Sequence, residues 1–254
     1  MKMVGLLGVI LFTSIPSHEI RLDDPRLTIS FKAEQSIFPT AWQTPEIKPA
    51  AIAINPSDES SSVQAIKHAL AKYPNKLTET NLKTIYISQN LSFYGLNYGG
   101  TNYIDSLYLT LIPIKQDDIN LKFLERAFHH ELSSILLRNH SQLFPNSAWI
   151  AANPPDFNYR GDGTQSLREG TASTKYNDKL NEQGFLAEYS TSSVEEDFNM
   201  FAEAIFSGDP DFWRIYNRFP AVAKKADLVM NFYNKLDPTF SKTLFTQFAQ
   251  AHTQ

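Results

Sequence analysis

The chain has 254 residues, enough for one large domain or two small ones. Its 42% hydrophobic and 13% aromatic content supports a sizeable core and argues against wholesale disorder. A net charge of −4 with no long basic stripe argues against nucleic acid as a partner. The lack of cysteine excludes disulfides, thiolate zinc sites, cysteine nucleophiles and a thioether-linked lipid anchor on this chain.

The first elements are read from the N-terminus. Lys2 precedes a short apolar run over residues 4–12, the length of a signal-peptide core and too short to span a bilayer, so residues 1–17 are read as an export signal. No later segment is long and apolar enough to be a transmembrane helix. Residues 18–56 are punctuated by Pro25, Pro39, Pro45, Pro49 and Pro56 and are read as an extended, irregular arm. The main domain is placed at 57–254, with a sheet and a long helix in 57–140 and a loop-rich, then helical, part in 141–254.

Ser57 and Asp58 open a helix whose apolar face is Val63, Ile66 and Leu70 and which ends at Tyr73-Pro74; His68 is taken as a surface or core residue. Residues 83–88 are β-branched and aromatic, hence a strand. Gly99 and Gly100 mark a turn or loop, and 106–112 form a second strand stopped by Pro113. A long helix follows over about 119–139, with Asp117 or Asp118 as its cap. Breakers dominate 141–184, including Asp162-Gly163, which is read as a turn. Another helix begins near Ser193, with Glu195, Glu196 and Asp197 in its first turn where the helix dipole favours them. It stops at Ser207-Gly208-Asp209-Pro210. The remainder is helical and broken at Pro220 and Pro238.

Within the long helix stands His129-His130-Glu131-Leu132-Ser133-Ser134. Residues four apart share a helix face. His-Glu-x-x-His uses that spacing to set two imidazoles on one zinc, with the Glu activating the metal-bound water. Here His130 supplies one imidazole and Glu131 the base, but Ser134 stands at the second histidine position. A neutral hydroxyl is a far poorer zinc ligand than imidazole. His140 lies ten residues after His130, about 15 Å along an unbroken helix, and could join only if the helix ended near Arg138 and the chain doubled back. His129 points about 100° away from His130 and suits a residue that supports a ligand or faces the substrate better than a ligand itself.

A further ligand must come from elsewhere. Glu196 opens the later helix, and Glu203 follows seven residues on, on much the same face. Tyr189 lies seven residues before Glu196, where a phenol could steady an oxyanion.

The combined pattern resembles the zinc-binding metallopeptidases found as exported lipoproteins beside outer-membrane nutrient-import systems. The resemblance covers about residues 57–206. It is carried by the helix ending Lys72-Tyr73-Pro74, the strand Thr84-Ile85-Tyr86-Ile87, the Gly99-Gly100 turn, Phe128-His129-His130-Glu131, and the late run from Tyr189 to Phe198. It implies an α+β, zincin-like domain with a small mixed sheet, an active-site helix and a mostly helical C-terminal part. It implies zinc as cofactor, His130 and Glu196 as metal ligands, Glu131 as general base and Tyr189 as oxyanion helper. Ser134 departs from the pattern, as does Met200, where the family often has a further Glu; Glu203 is a candidate for that role. The implied setting is the periplasm or outer-membrane surface, with import components as partners.

Two functions fit this sequence. One is an exported zinc metallopeptidase acting on a peptide laid along an edge strand near residues 106–111. The other is a catalytically degenerate accessory protein that binds peptide or glycan. An unrelated secreted α+β domain with an accidental His-Glu pair is a third reading, and separation of His130 from Glu196 by more than about 8 Å would favour it.

Overall fold

The structure is a computed structural model that describes residues 19–111, 113–115, 118–119 and 121–251. The proposed signal at 1–17 and the candidate cap Asp117 lie outside the described residues.

Chain segments that alternate in hydropathy build the central sheet. β1 (Glu19–Asp23) and β2 (Arg26–Ser30) pair antiparallel. β3 (Ala50–Ile52) leads to α1 (Glu59–Leu70) and α2 (Asn75–Asn81), and β4 (Thr84–Ser88) then pairs parallel with β2. The arm expected over 18–56 is therefore corrected: its first part supplies two strands of the sheet. Leu27 and Ile29 alternate inward and are buried, and a tight turn at Asp24-Pro25 joins the pair. The prolines sit between these short elements rather than preventing them.

β5 (Asn90–Phe93), β6 (Leu96–Tyr98), β7 (Gly100–Tyr103) and β8 (Ser106–Thr110) follow in quick succession. The main sheet runs β1-β2-β4-β8-β7, with β4 and β8 parallel and β7 antiparallel to β8. β3, β5 and β6 form a small second sheet, and β9 (Pro113–Lys115) pairs with β10 (Asp118–Ile119). Gly99 and Gly100 thus lie at a strand junction, not in a loop. The segment 106–111, expected at the sheet edge, is interior; β7 is the edge.

One face of the sheet presents Ile85, Ile87, Leu107 and Leu109 to the helices. The other presents Tyr86 and Tyr108 to Phe38, Trp42 and Phe93 in a smaller aromatic cluster. This strict alternation is what a sheet covered on both sides requires.

α3 (Leu121–Asn139) lies against the first face through Leu124, Phe128, Leu132 and Ile135, all fully buried or nearly so. The stretch 141–184, expected to be loop-like, holds three short helices: α4 (Asn146–Ile150), α5 (Gly163–Glu169) and α6 (Asp178–Asn181). Each is too short to show an apolar period. Asp162 caps α5 by accepting from the Gln165 N–H at 2.8 Å.

α7 (Val194–Phe206) is buried on all sides from Asp197 to Phe206 and packs beside α3. Ser193 caps it, accepting from the Glu196 N–H at 3.1 Å. The buried rings Phe198, Phe201 and Phe206 each contribute about 1.5–3 kcal/mol over an exposed position. Gly208, at φ +65°, ends the turn. α8 (Pro210–Arg218), α9 (Pro220–Leu236) and α10 (Lys242–Ala251) complete the helical part. No helix among the described residues is long and apolar enough to cross a membrane.

Candidate functional site

α3 carries His130 and Glu131; α7 carries Glu196, Asn199 and Glu203; a 3-10 turn at Tyr189–Thr191 carries Tyr189. The two helices pack side by side, so residues far apart in sequence meet. His130 Nε2 lies 3.0 Å from Glu196 Oε2, and His130 Nδ1 lies 3.0 Å from Glu203 Oε2. The separation that would mark an accidental His-Glu pair is not observed.

Both ring nitrogens therefore face carboxylates, which only accept hydrogen bonds. Burial alone would push the imidazole's pKa down, but its hydrogen bonds to Glu196 and Glu203 outweigh this and hold it well above its ordinary value. The ring is clamped between two carboxyl groups. Glu203 is in turn held by Arg126, whose Nη2 donates to Oε1 at 2.7 Å. Arg126 Nη1 donates to Asp209 Oδ2 at 2.8 Å, and the Tyr176 hydroxyl donates to the same oxygen at 2.8 Å. Burial pushes the Glu203 carboxyl up, but the Arg126 charge and the His130 hydrogen bond bring it below the ordinary range.

Glu131 points toward β7. Asn102 Nδ2 donates to its Oε2 at 2.9 Å, and Arg138 holds the Asn102 carbonyl oxygen through both Nη atoms at 3.1 Å. Burial pushes the Glu131 carboxyl up to about 7 against the opposing pull of His130 and Asn102. The Tyr189 ring stacks on His130 with centroids 6.1 Å apart, and its hydroxyl is hydrogen-bonded to Glu196. Burial first, and the Glu196 charge second, hold this phenol well above its ordinary range, so it remains protonated.

The other described histidines, His68, His129 and His140, lie elsewhere. His129 is fully buried on another side of α3, with Nδ1 2.9 Å from the Tyr73 hydroxyl, so the substrate-side role is corrected. α3 continues to Asn139, and His140 Nε2 meets Asn81 Oδ1 at 3.2 Å; its chain does not double back to the site. His68 is a surface residue facing Glu125. Met200 is fully buried in the core.

The residues present do not fit a zinc-protease shell. His130 Nε2 and Glu196 Oε2 are close to the roughly 3.3 Å that separates two donors on a tetrahedral ion with bonds of about 2.0 Å. Among the described residues no third protein donor joins them. Ser134 Oγ accepts a hydrogen bond from Asn199 Nδ2 at 2.6 Å inside the helix pair, and Glu203 is occupied on the far side of the imidazole. No group of three or more His, Cys, Asp or Glu among the described residues is placed to hold a metal.

A cleft of about 760 Å³ opens over His130 and Glu131. Tyr98, Gly100, Phe123 and Tyr189 are among its walls, so the start of β7 reaches the cleft at Gly100. Asn102, Arg126, Asn199 and Asp209 were absent from the sequence reading of the site. Only Asn199 had a usable signal: it lies one helical turn after Glu196, as Ser134 lies one turn after His130.

No family model matches the chain, and no curated protein matches it. Among solved structures it is similar to one from Bacteroides caccae described as a "putative zinc-binding metallo-peptidase". The two are 15% identical, the match covers 78% of this chain and 77% of that one, and the TM-score is 0.54. The likeness is one of fold. It leaves the chemistry to the residues at 130, 131, 134, 196 and 199.

Proposed function

We propose that this protein is a peptide-binding member of the zincin-like α+β class that holds an extended peptide along β7 without hydrolysing it through zinc. The observation that carries the reading is the position of β7. It ends the sheet, reaches the cleft at Gly100, and is tied to Glu131 through Asn102. An edge strand beside a cleft offers main-chain hydrogen bonds for a peptide strand, while the cleft receives alternate side chains. The likeness to a metallopeptidase-like structure supports a peptide ligand, and the donor set supports binding over cutting.

The test uses the purified full chain. Calorimetric titration with a tryptic digest of casein should show binding, and Ala172→Trp, which fills the cleft wall, should weaken it at least tenfold. Mass spectrometry of the metal content should find well under one zinc per chain. One zinc per chain, lost in His130→Ala, together with chelator-sensitive cleavage of casein, would restore the peptidase reading.

Export to the periplasm or outer-membrane surface, beside import components, belongs to the same proposal and rests on the apolar run at 4–12 and the family resemblance. Cell fractionation that leaves the unprocessed chain in the cytoplasm would refute it.

A further inference from the structure

The position opposite His130 is filled, and the filling is specific. Ser134 is 3% exposed and Asn199 is 1% exposed. Asn199 Nδ2 donates to Ser134 Oγ at 2.6 Å. On its other side the Asn199 carbonyl oxygen is hydrogen-bonded to the Ser133 hydroxyl. Ser133 Oγ also lies 2.7 Å from the His130 main-chain oxygen. One amide therefore contacts two consecutive hydroxyls on α3, and the Ser133 proton is shared between the Asn199 carbonyl oxygen and the main-chain oxygen of the histidine itself.

An imidazole at 134 would need room that the Asn199 side chain now takes. The interface around it is closed: Phe198 and Met200 flank Asn199 in the chain and are fully buried, as are Ile135 and Leu136 beside Ser134. Close-packed interiors accept an enlarged side chain only by displacing a neighbour.

We infer that Ser134 and Asn199 form a matched pair in which the Asn199 amide takes the space and hydrogen-bonding duty of the second metal-ligating imidazole, so that both must change before the site can take a metal. This rests on the non-metal reading above and deepens it: it names the residue that keeps the position shut. Asn199 is a positioning residue, since it acts on His130 through Ser133.

The experiment compares the wild-type chain with Ser134→His, Asn199→Ala and the S134H/N199A double variant. Each is titrated with zinc by calorimetry and with cobalt(II) by visible absorption. The double variant should bind one zinc per chain at least tenfold tighter than S134H alone and show the d–d bands of tetrahedral cobalt. Tighter binding by S134H alone, equal to the double variant, would overturn the matched pair while leaving the non-metal reading intact. Stoichiometric zinc in the wild type, lost on His130→Ala, would instead remove the non-metal reading. Should the double variant not fold, chemical denaturation of S134A, N199A and S134A/N199A decides the matter. N199A should lower the midpoint more in the wild-type background than in S134A, and equal shifts would overturn the pairing.

Discussion

At Gly163 a single hydrogen in place of a side chain decides the shape of the site. A Cβ built there would overlap Glu196 Oε1 and the Tyr189 hydroxyl, two groups that already contact each other. Gly163→Ala should displace both, cost about 1–3 kcal/mol in chemical denaturation and weaken peptide binding. An unchanged midpoint would show that Glu196 and Tyr189 have room to yield. A second residue-scale case lies one position past Glu196. Asp197 and Lys225 are both 0% exposed, and Lys225 Nζ donates to Asp197 Oδ2 at 2.6 Å. Tyr159 donates to the same oxygen at 2.7 Å and accepts from Trp149 Nε1 at 2.9 Å. Lys225→Met would leave the carboxylate buried without its cation and should cost about 3–5 kcal/mol. Adding Asp197→Asn should recover part of that loss. A double variant no more stable than the single one would refute the pairing.

Elements are held together by charge as well as by packing. Lys72, just beyond α1, donates through Nζ to Glu125 on α3 at 2.5 Å and to the Phe206 carbonyl at the end of α7 at 2.7 Å. Three helices meet at one ammonium. Burial pushes the Glu125 carboxyl up, but the nearby His129 ring and the hydrogen bond and charge of Lys72 hold it well below the carboxylate range. His129 is itself pushed down by burial to about 4 and is neutral near pH 7, so the full charge facing Glu125 there is Lys72. The folded carboxyl thus releases its proton at lower pH than the unfolded one. The unfolded state binds more protons in that window, so stability rises with pH through it. The Glu125 contribution is fully present above about pH 5 and declines as the medium is acidified. Glu125→Gln should be less stable near neutrality and flatter with acidification in thermal melts; parallel curves for the two proteins would refute the assignment.

The element pattern was largely readable in the sequence where periodicity was long. α3 and α7 each run for several turns with apolar residues on a helical period, and local pattern places both to within a few residues. β1 and β2 were missed because Pro25 and its neighbours suggested irregularity, while their pairing depends on β4, far along the chain. β7 was missed because Gly99-Gly100 signals a turn locally, whereas close approach to Phe123 and Glu131 is what demands small residues there.

For the whole molecule, the placement of 19–30 has a direct consequence. β2 lies between β1 and β4, and its Leu27 and Ile29 belong to the main core. A chain starting at Phe31 would expose β4 as a new edge and open that core. It should give little soluble protein and no cooperative melt. A cooperative transition within a few degrees of the full chain would return this segment to the status of a dispensable arm.

Local pattern alone predicts α3 and α7, singles out His130, Glu131 and Glu196 as candidate polar residues, and leaves position 134 without an imidazole. Those follow from helical periodicity and side-chain chemistry, which are local. Packing in three dimensions sets Glu203 against the far nitrogen of His130, Asn199 against Ser134, and β7 rather than β8 at the sheet edge. Each depends on the lateral packing of segments tens of residues apart, and short-range pattern carries no record of that contact.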